Sequence, residues 1–276
     1  METDNRILFI NSHYVILAVE MKFMRKEVLD GKLRFGMGAN LGSSLTVEMI
    51  SGAGFDWIWL DCEHGAGGMQ SLPGQLQAAS IHDTPVIVRL PGNDPLLFKY
   101  PLDLGASGVM VPYIETADEA RLAVEAMRYP PLGRRGVAKF NRACGFGASF
   151  DSYFAQANDN LLCVVQIETP KAVANVDAIA AVDGADVLFV GPLDLSVTMG
   201  MTGQFTHPDF LSAARGVAIA CKKHGKAAGT LVADLSQLQL WIDMGYTFLV
   251  VGTEGGCLAG GLGSVMKRCA ETASAT

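Results

Sequence analysis

From about residue 25 the chain alternates short apolar runs with longer stretches in which apolar residues recur every three or four positions. The runs fall at residues 35–39, 57–61, 85–89, 108–112, 162–167, 187–190, 227–232 and 248–251. A run that is apolar at nearly every position reads as a strand buried on both faces, as in a parallel sheet. The stretches between read as amphipathic helix. Thr116 followed by Glu119 has the spacing of a capping box, and Gly105, Gly225 and Gly245 each follow a helical pattern where a terminating glycine belongs. Strand–helix units repeated eight times over about 250 residues predict an α/β protein, a (β/α)8 TIM barrel.

A doubly wound sheet is the competing architecture. Gly36, Gly38 and Gly42 make a G-x-G-x-x-x-G pattern that misses the dinucleotide fingerprint by one residue. Residues 129–160 break the strand–helix rhythm between the fourth and fifth runs and are rich in Gly, Arg and aromatic residues. A long loop at a barrel mouth would shape substrate access or subunit contacts. Residues 1–24 are expected to be an N-terminal extension and residues 25–276 one catalytic barrel. The apolar stretch at 7–19 is broken by Asn11, Ser12 and His13, so it is too short and too polar to span a membrane. Glu2 and Asp4 do not suit a secretory signal, and a cytoplasmic protein is expected.

Composition adds three constraints. Half of the 276 residues are hydrophobic and 18% are charged, which suggests that part of the surface is buried between subunits. A net charge of −7 argues against a nucleic-acid surface. The six cysteines, at 62, 144, 163, 221, 257 and 269, form no C-x-x-C pair and are expected to be buried free thiols.

Polar residues gather where the apolar runs end, which in a parallel barrel is where active sites lie. Glu168 and Asp194 follow two successive runs and could hold one divalent cation while leaving room for substrate and water. Two oxygen ligands favour Mg2+ or Mn2+, with Co2+ a further candidate, over zinc. Each carboxylate could instead cap the helix that follows, Asp194 with help from Ser196. Arg89 ends the third run and is either paired with a barrel carboxylate or available to an anionic substrate or an enolate oxygen. His64 is the one histidine of five at a strand end, as a general acid–base group or as a hydrogen-bonded loop residue. No lysine ends a run: Lys226 begins one and Lys139 lies in the 129–160 segment, so an imine route fits less well than a metal–enolate route.

Several motifs occur in order from about residue 25 to the C-terminus. They are Gly54-Phe55-Asp56-Trp57 with Asp61-Cys62-Glu63-His64, Val88-Arg89 with Asn93-Asp94-Pro95, and Arg128-Tyr129-Pro130-Pro131 with Arg135-Gly136-Val137. Gln166-Ile167-Glu168-Thr169 and Gly191-Pro192-Leu193-Asp194-Leu195-Ser196 complete the set. Together they resemble the metal-dependent (class II) pyruvate aldolases of the 4-hydroxy-2-oxoheptanedioate aldolase type. The resemblance implies a (β/α)8 barrel in a homo-hexamer, a trimer of dimers that exchange their C-terminal helix. It implies that Glu168 and Asp194 ligate the metal, and that Gln166 and the backbone around Gly191, Leu193 and Asp194 orient the pyruvate carboxylate. Arg89 would stabilise the enolate oxygen. His64, oriented by Asp103, would serve the aldehyde-derived hydroxyl, with Asp61 and Glu63 in support.

The implied partners are a small 2-oxo acid and an aldehyde. A 2-keto-3-deoxy sugar acid is the near alternative substrate. Oxaloacetate decarboxylation and an acyl-CoA lyase are others, and for CoA phosphates Arg134, Arg135, Lys139 and Arg142 form the clearest cluster. The chain departs from the family pattern at Cys62, where glycine is usual, at Pro101, which would interrupt the helix before Asp103, and through residues 138–147.

Overall fold

The computed structural model describes residues 22–274, so the expected extension lies outside the described residues except at 22–24. Eight parallel strands close into a barrel in chain order, with β1 hydrogen-bonded to β8. They are β1 (Arg34–Ala39), β2 (Trp57–Asp61), β3 (Val86–Arg89), β4 (Gly108–Val111), β5 (Leu162–Ile167), β6 (Val187–Val190), β7 (Ala227–Leu231) and β8 (Tyr246–Thr253). All eight expected strands are present, with ends moved by one or two residues. The helices begin with α1 (Arg25–Leu29), α2 (Ser44–Gly52), α3 (Leu72–Ala79), α4 (Pro95–Asp103), α5 (Ala117–Met127) and α6 (Phe150–Asn160). They continue with α7 (Pro170–Ala174), α8 (Val176–Ala180), α9 (Pro192–Thr198), α10 (Pro208–His224), α11 (Leu238–Asp243) and α12 (Glu254–Ser274).

The period-two alternation of each strand divides its side chains between two cores. Ile58, Leu60, Val88, Val109, Val165 and Leu188 face outward and pack with the helices. Trp57, Trp59, Ile87, Met110, Leu162, Val164, Val187, Phe189 and Phe248 fill the barrel interior. Trp57 stacks on Phe248 with centroids 3.9 Å apart, and Met24 and Val28 of the N-terminal segment join the same interior cluster. The barrel is therefore a packed core, not a pore.

The helix signals hold in detail. Thr116 and Glu119 form the expected capping box on α5, and Gly105, Gly225 and Gly245 all adopt positive φ. Pro101 does not interrupt α4. It forgoes one N–H near the C-terminal end, and the helix still closes with the Leu104 N–H donating to the Tyr100 carbonyl at 3.0 Å.

The arginine-bearing part of the 129–160 segment does not sit at the mouth. Arg142 donates to the carbonyls of Leu104 and Leu76, at the C-terminal ends of α4 and α3. Helices of such a barrel run antiparallel to its strands, so these ends lie at the opposite face. Four of the six cysteines are buried, but Cys257 and Cys269 are exposed on α12. Of all α12 residues only Glu254 is buried. Among the described residues, no helix is long and apolar enough to cross a membrane.

Candidate active site

The alternation that fills the barrel also delivers its polar groups. Counting by twos from the interior residues Trp59, Ile87, Val164 and Phe189 gives Asp61, Arg89, Gln166 and, past the end of β6, Gly191. Two more from Gln166 gives Glu168. These positions meet at the carboxyl ends of β2, β3, β5 and β6.

Asp61 and Arg89 are directly opposite in the β2–β3 register. Arg89 donates through Nε and Nη2 to the two Asp61 oxygens at 2.9 and 2.7 Å. Its Nη1 lies 3.0 Å from Glu63, and the guanidinium sits 4.4 Å from the Trp59 ring centre. The paired reading of Arg89 is the one the structure shows. Burial works to raise the Asp61 carboxyl, but the Arg89 hydrogen bond and charge, with two backbone N–H groups, hold it below its usual range. For Glu63 burial dominates and the carboxyl is raised despite Arg89.

His64 stands at the rim with its side chain 66% exposed, and its Nε2 is 3.8 Å from Glu63. Its backbone N–H donates to Asp61 Oδ1 at 3.2 Å. The glycine-rich turn behind it is tightly packed. A Cβ at Gly65 would lie 2.0 Å from the Asp61 carbonyl oxygen, so no other residue fits.

Across the mouth, Glu168 and Gln166 are each 1% exposed. Glu168 Oε1 accepts from Gln166 Nε2 at 2.7 Å, and Oε2 accepts from the Tyr113 backbone N–H at 3.1 Å. Gly191 leaves the room this carboxylate occupies, since a Cβ there would fall 2.3 Å from Oε1. Neither acid caps a helix. Thr169 caps α7, α9 starts from Gly191, and Ser196 donates to the Leu193 carbonyl. Asp194 lies in the first turn of α9, where the helix dipole favours a negative charge. Its Oδ1 accepts from the Tyr113 hydroxyl at 3.1 Å.

Burial pushes the Glu168 carboxyl up to about 7, and the nearby charges of Asp194 and Glu63 add to the shift. Gln166 Oε1 is buried without a hydrogen-bond partner among the described residues. Buried acceptors thus outnumber donors here, and a hard, oxygen-seeking cation would relieve the imbalance. Among the described residues no three His, Cys, Asp or Glu side chains converge as a complete cage. A cation held by Glu168 and Asp194 would therefore keep positions for water and substrate.

Two expectations change. Asp103, at the far end of α4, bonds to buried Arg135 at 2.8 Å, so a single chain does not bring it to His64. The cationic cluster suited to CoA phosphates is already engaged. Arg134 pairs with Glu125, Arg135 with Asp103 and Tyr153, Arg142 with helix carbonyls, and Lys139 lies over Phe150. Tyr113 was not singled out from the sequence. Its place just beyond the end of β4 was the available signal.

A TIM barrel with an acidic pair and a fixed arginine at its mouth has the layout of a lyase of the class II pyruvate aldolase type. Residues 34–260 match the HpcH/HpaI aldolase/citrate lyase family, and the chain belongs to it. It is a carbon–carbon lyase. The 5-keto-4-deoxy-D-glucarate aldolase of Salmonella arizonae is 38% identical over 257 residues, 93% of this chain and 96% of that one. The crystal structure of a HpcH/HpaI aldolase/citrate lyase family protein from Burkholderia cenocepacia J2315 matches with a TM-score of 0.84 at 34% identity, covering 89% of this chain and 98% of that one. A HpcH/HpaI aldolase from Desulfitobacterium hafniense DCB-2 follows at TM-score 0.82 and 30% identity, covering 90% and 96%.

Proposed function

We propose that this enzyme is a divalent-metal-dependent aldolase that cleaves a hydroxylated 4-hydroxy-2-oxo acid, of the keto-deoxy sugar-acid class, to pyruvate and an aldehyde. The observation that carries the reading is Glu168, buried beside Asp194 with its carboxyl near neutrality, facing the same mouth as Arg89. The sugar-acid class rests on the name of the Salmonella arizonae relative.

Glu168 and Asp194 would hold Mg2+, Mn2+ or Co2+, which supplies Lewis-acid polarisation of the substrate keto group. The first-turn N–H groups of Leu193 and Asp194 lack partners within α9 and suit the substrate carboxylate. Gln166 fixes Glu168 from one side. Asp61 takes two of the five N–H groups of Arg89 and Glu63 sits against a third. The remaining donors, on a guanidinium already fixed in place, would serve the oxygen on which charge develops as the carbon–carbon bond breaks. From the rim, His64 would take the proton of the hydroxyl that becomes the aldehyde oxygen.

Assembly as a homo-hexamer with exchanged α12 helices is part of the proposal. Leu258, Leu262, Val265 and Met266 make one apolar stripe along α12 and are between 52% and 66% exposed in the single chain.

The test is pyruvate release, coupled to lactate dehydrogenase, from keto-deoxy sugar acids, other 4-hydroxy-2-oxo acids and oxaloacetate, with EDTA or added Mn2+. Metal-dependent release fastest from a sugar acid is expected. Release from oxaloacetate alone would move the function to decarboxylation, and full activity in EDTA would end the metal assignment.

A further inference from the structure

We infer that Tyr113 is a positioning residue that sets the separation and orientation of the Glu168–Asp194 pair. The inference rests on the proposed cation site and adds a residue to it. Tyr113 has φ 51, in the left-handed region that a bulky aromatic side chain rarely enters. Such a conformation persists only where its surroundings over-determine it, and it is common at functional sites.

The contacts show what this backbone accomplishes. The Tyr113 N–H points at Glu168 Oε2, 3.1 Å away, while its hydroxyl donates to Asp194 Oδ1, also at 3.1 Å. The next residue, Ile114, donates its N–H to the Gln166 carbonyl at 3.1 Å, which ties the segment to the end of β5. One residue from the end of β4 therefore spans two carboxylates that follow β5 and β6. Rotation about φ sets the direction in which the side chain leaves this amide, so the unusual value is what lets one residue reach both carboxylates.

The chemistry of the two donors is as informative as their reach. Both are neutral. A lysine or arginine in this place would neutralise the pair and compete with a cation, whereas an amide and a phenol orient the carboxylates and leave their charge in place. The ring is 47% exposed, so the side chain is held at the mouth by these bonds and not by burial in the core. Hydrogen-bonding partners of metal-binding carboxylates of this kind commonly change metal affinity by about 10–100-fold when removed.

The test compares metal-free wild type with Tyr113→Phe and Tyr113→Asn by Mn2+ titration, reading free Mn2+ by electron paramagnetic resonance, and by thermal unfolding. Tyr113→Phe removes one oxygen from a half-exposed ring. It should weaken Mn2+ binding about tenfold with an unchanged unfolding midpoint, and excess Mn2+ should restore kcat. Asparagine tolerates the left-handed backbone but cannot reach Asp194 as tyrosine does. Tyr113→Asn should therefore unfold at the same or a higher temperature and still bind Mn2+ more weakly. Wild-type affinity in Tyr113→Phe would overturn the inference, as would a loss of affinity matched by a fall in its unfolding midpoint. A wild type that binds no Mn2+ would refute the cation site itself, a different result from a variant that binds as well as wild type.

Discussion

Gly191→Ala adds a single methyl group at the position where the chain leaves β6. The backbone there, φ −82 and ψ 98, is open to alanine, so the effect is steric and not conformational. The new Cβ would lie 2.3 Å from Glu168 Oε1, whereas ordinary contact begins at 3.4 Å, so the carboxylate must retreat about 1.1 Å (3.4 less 2.3). It has nowhere free to go. Gln166 holds Oε1 at 2.7 Å, Tyr113 holds Oε2 at 3.1 Å, and the side chain is 1% exposed. Overpacking of this kind costs about 1–3 kcal/mol, offset by about 0.4–1 kcal/mol from the stiffer unfolded chain. The net loss of stability, about 0–2.6 kcal/mol, is modest. Displacement by about 1 Å of a carboxylate proposed to hold the metal is not, and should cost about 10²-fold in turnover. Gly216→Ala, inside α10 with nothing within 4 Å of its Cβ, is the control and should gain about 0.5–1 kcal/mol with unchanged activity. The measurements are Mn2+-supplemented pyruvate release and thermal melting of both variants. Gly191→Ala activity within threefold of wild type would refute the claim that the fit between Gly191 and Glu168 matters.

Arg89→Met keeps the volume but leaves Asp61 and Glu63 without their cation. Because the Arg89 and Asp61 side chains are each 7% exposed, the variant should lose about 3–5 kcal/mol by denaturant titration, and a wild-type midpoint would contradict the buried pairing. Its turnover should also fall about 10²–10³-fold. Mn2+ affinity should depend on pH through Glu168. Its carboxyl is raised to about 7, so it gains a proton as pH falls through that value, and the cation must displace the proton. Binding should weaken by roughly tenfold per unit below pH 7 and level off above it, whereas a flat profile from pH 5 to 8 would exclude Glu168 as a ligand. Leu262→Asp places a charge on a side chain that is 63% exposed in the single chain. It should leave the barrel folded and shift the sedimentation coefficient to a smaller species. A wild type that already sediments as a monomer would refute the assembly.

The strands were legible because β2 to β6 are buried on both faces and leave unbroken apolar runs such as Val187–Val190. Once those are placed, Asp61, Arg89, Gln166 and Glu168 follow in phase with the interior side chains, so the polar side of the mouth could be read at the same level. Asp103 could not be, because distance along the chain is not distance in space. Residues 95–103 are helical, and at 1.5 Å per residue they carry the chain about 13 Å down the outside of the barrel. Tyr113 escaped for another reason. Its role depends on a left-handed φ, which glycine or asparagine would announce and tyrosine does not. The basic residues of the 129–160 segment looked free in the sequence because their partners, Glu125, Asp103 and helix-end carbonyls, lie on other elements.

The stacked Trp57 and Phe248 fill the barrel interior together with Met24 and Val28, so among the described residues the polar mouth backs onto a packed core. A cleavage reaction run in such a cul-de-sac has a built-in order of departure. In the proposed reaction the keto-acid half would be held among Gln166 and Glu168, each 1% exposed, and the other half would lie at the rim beside His64, whose side chain is 66% exposed. In the proposed cleavage the outer fragment would block the inner one, so the aldehyde would leave first and pyruvate last. Pyruvate, as the last product to leave, would then be the one to meet the empty enzyme and compete with incoming substrate for it.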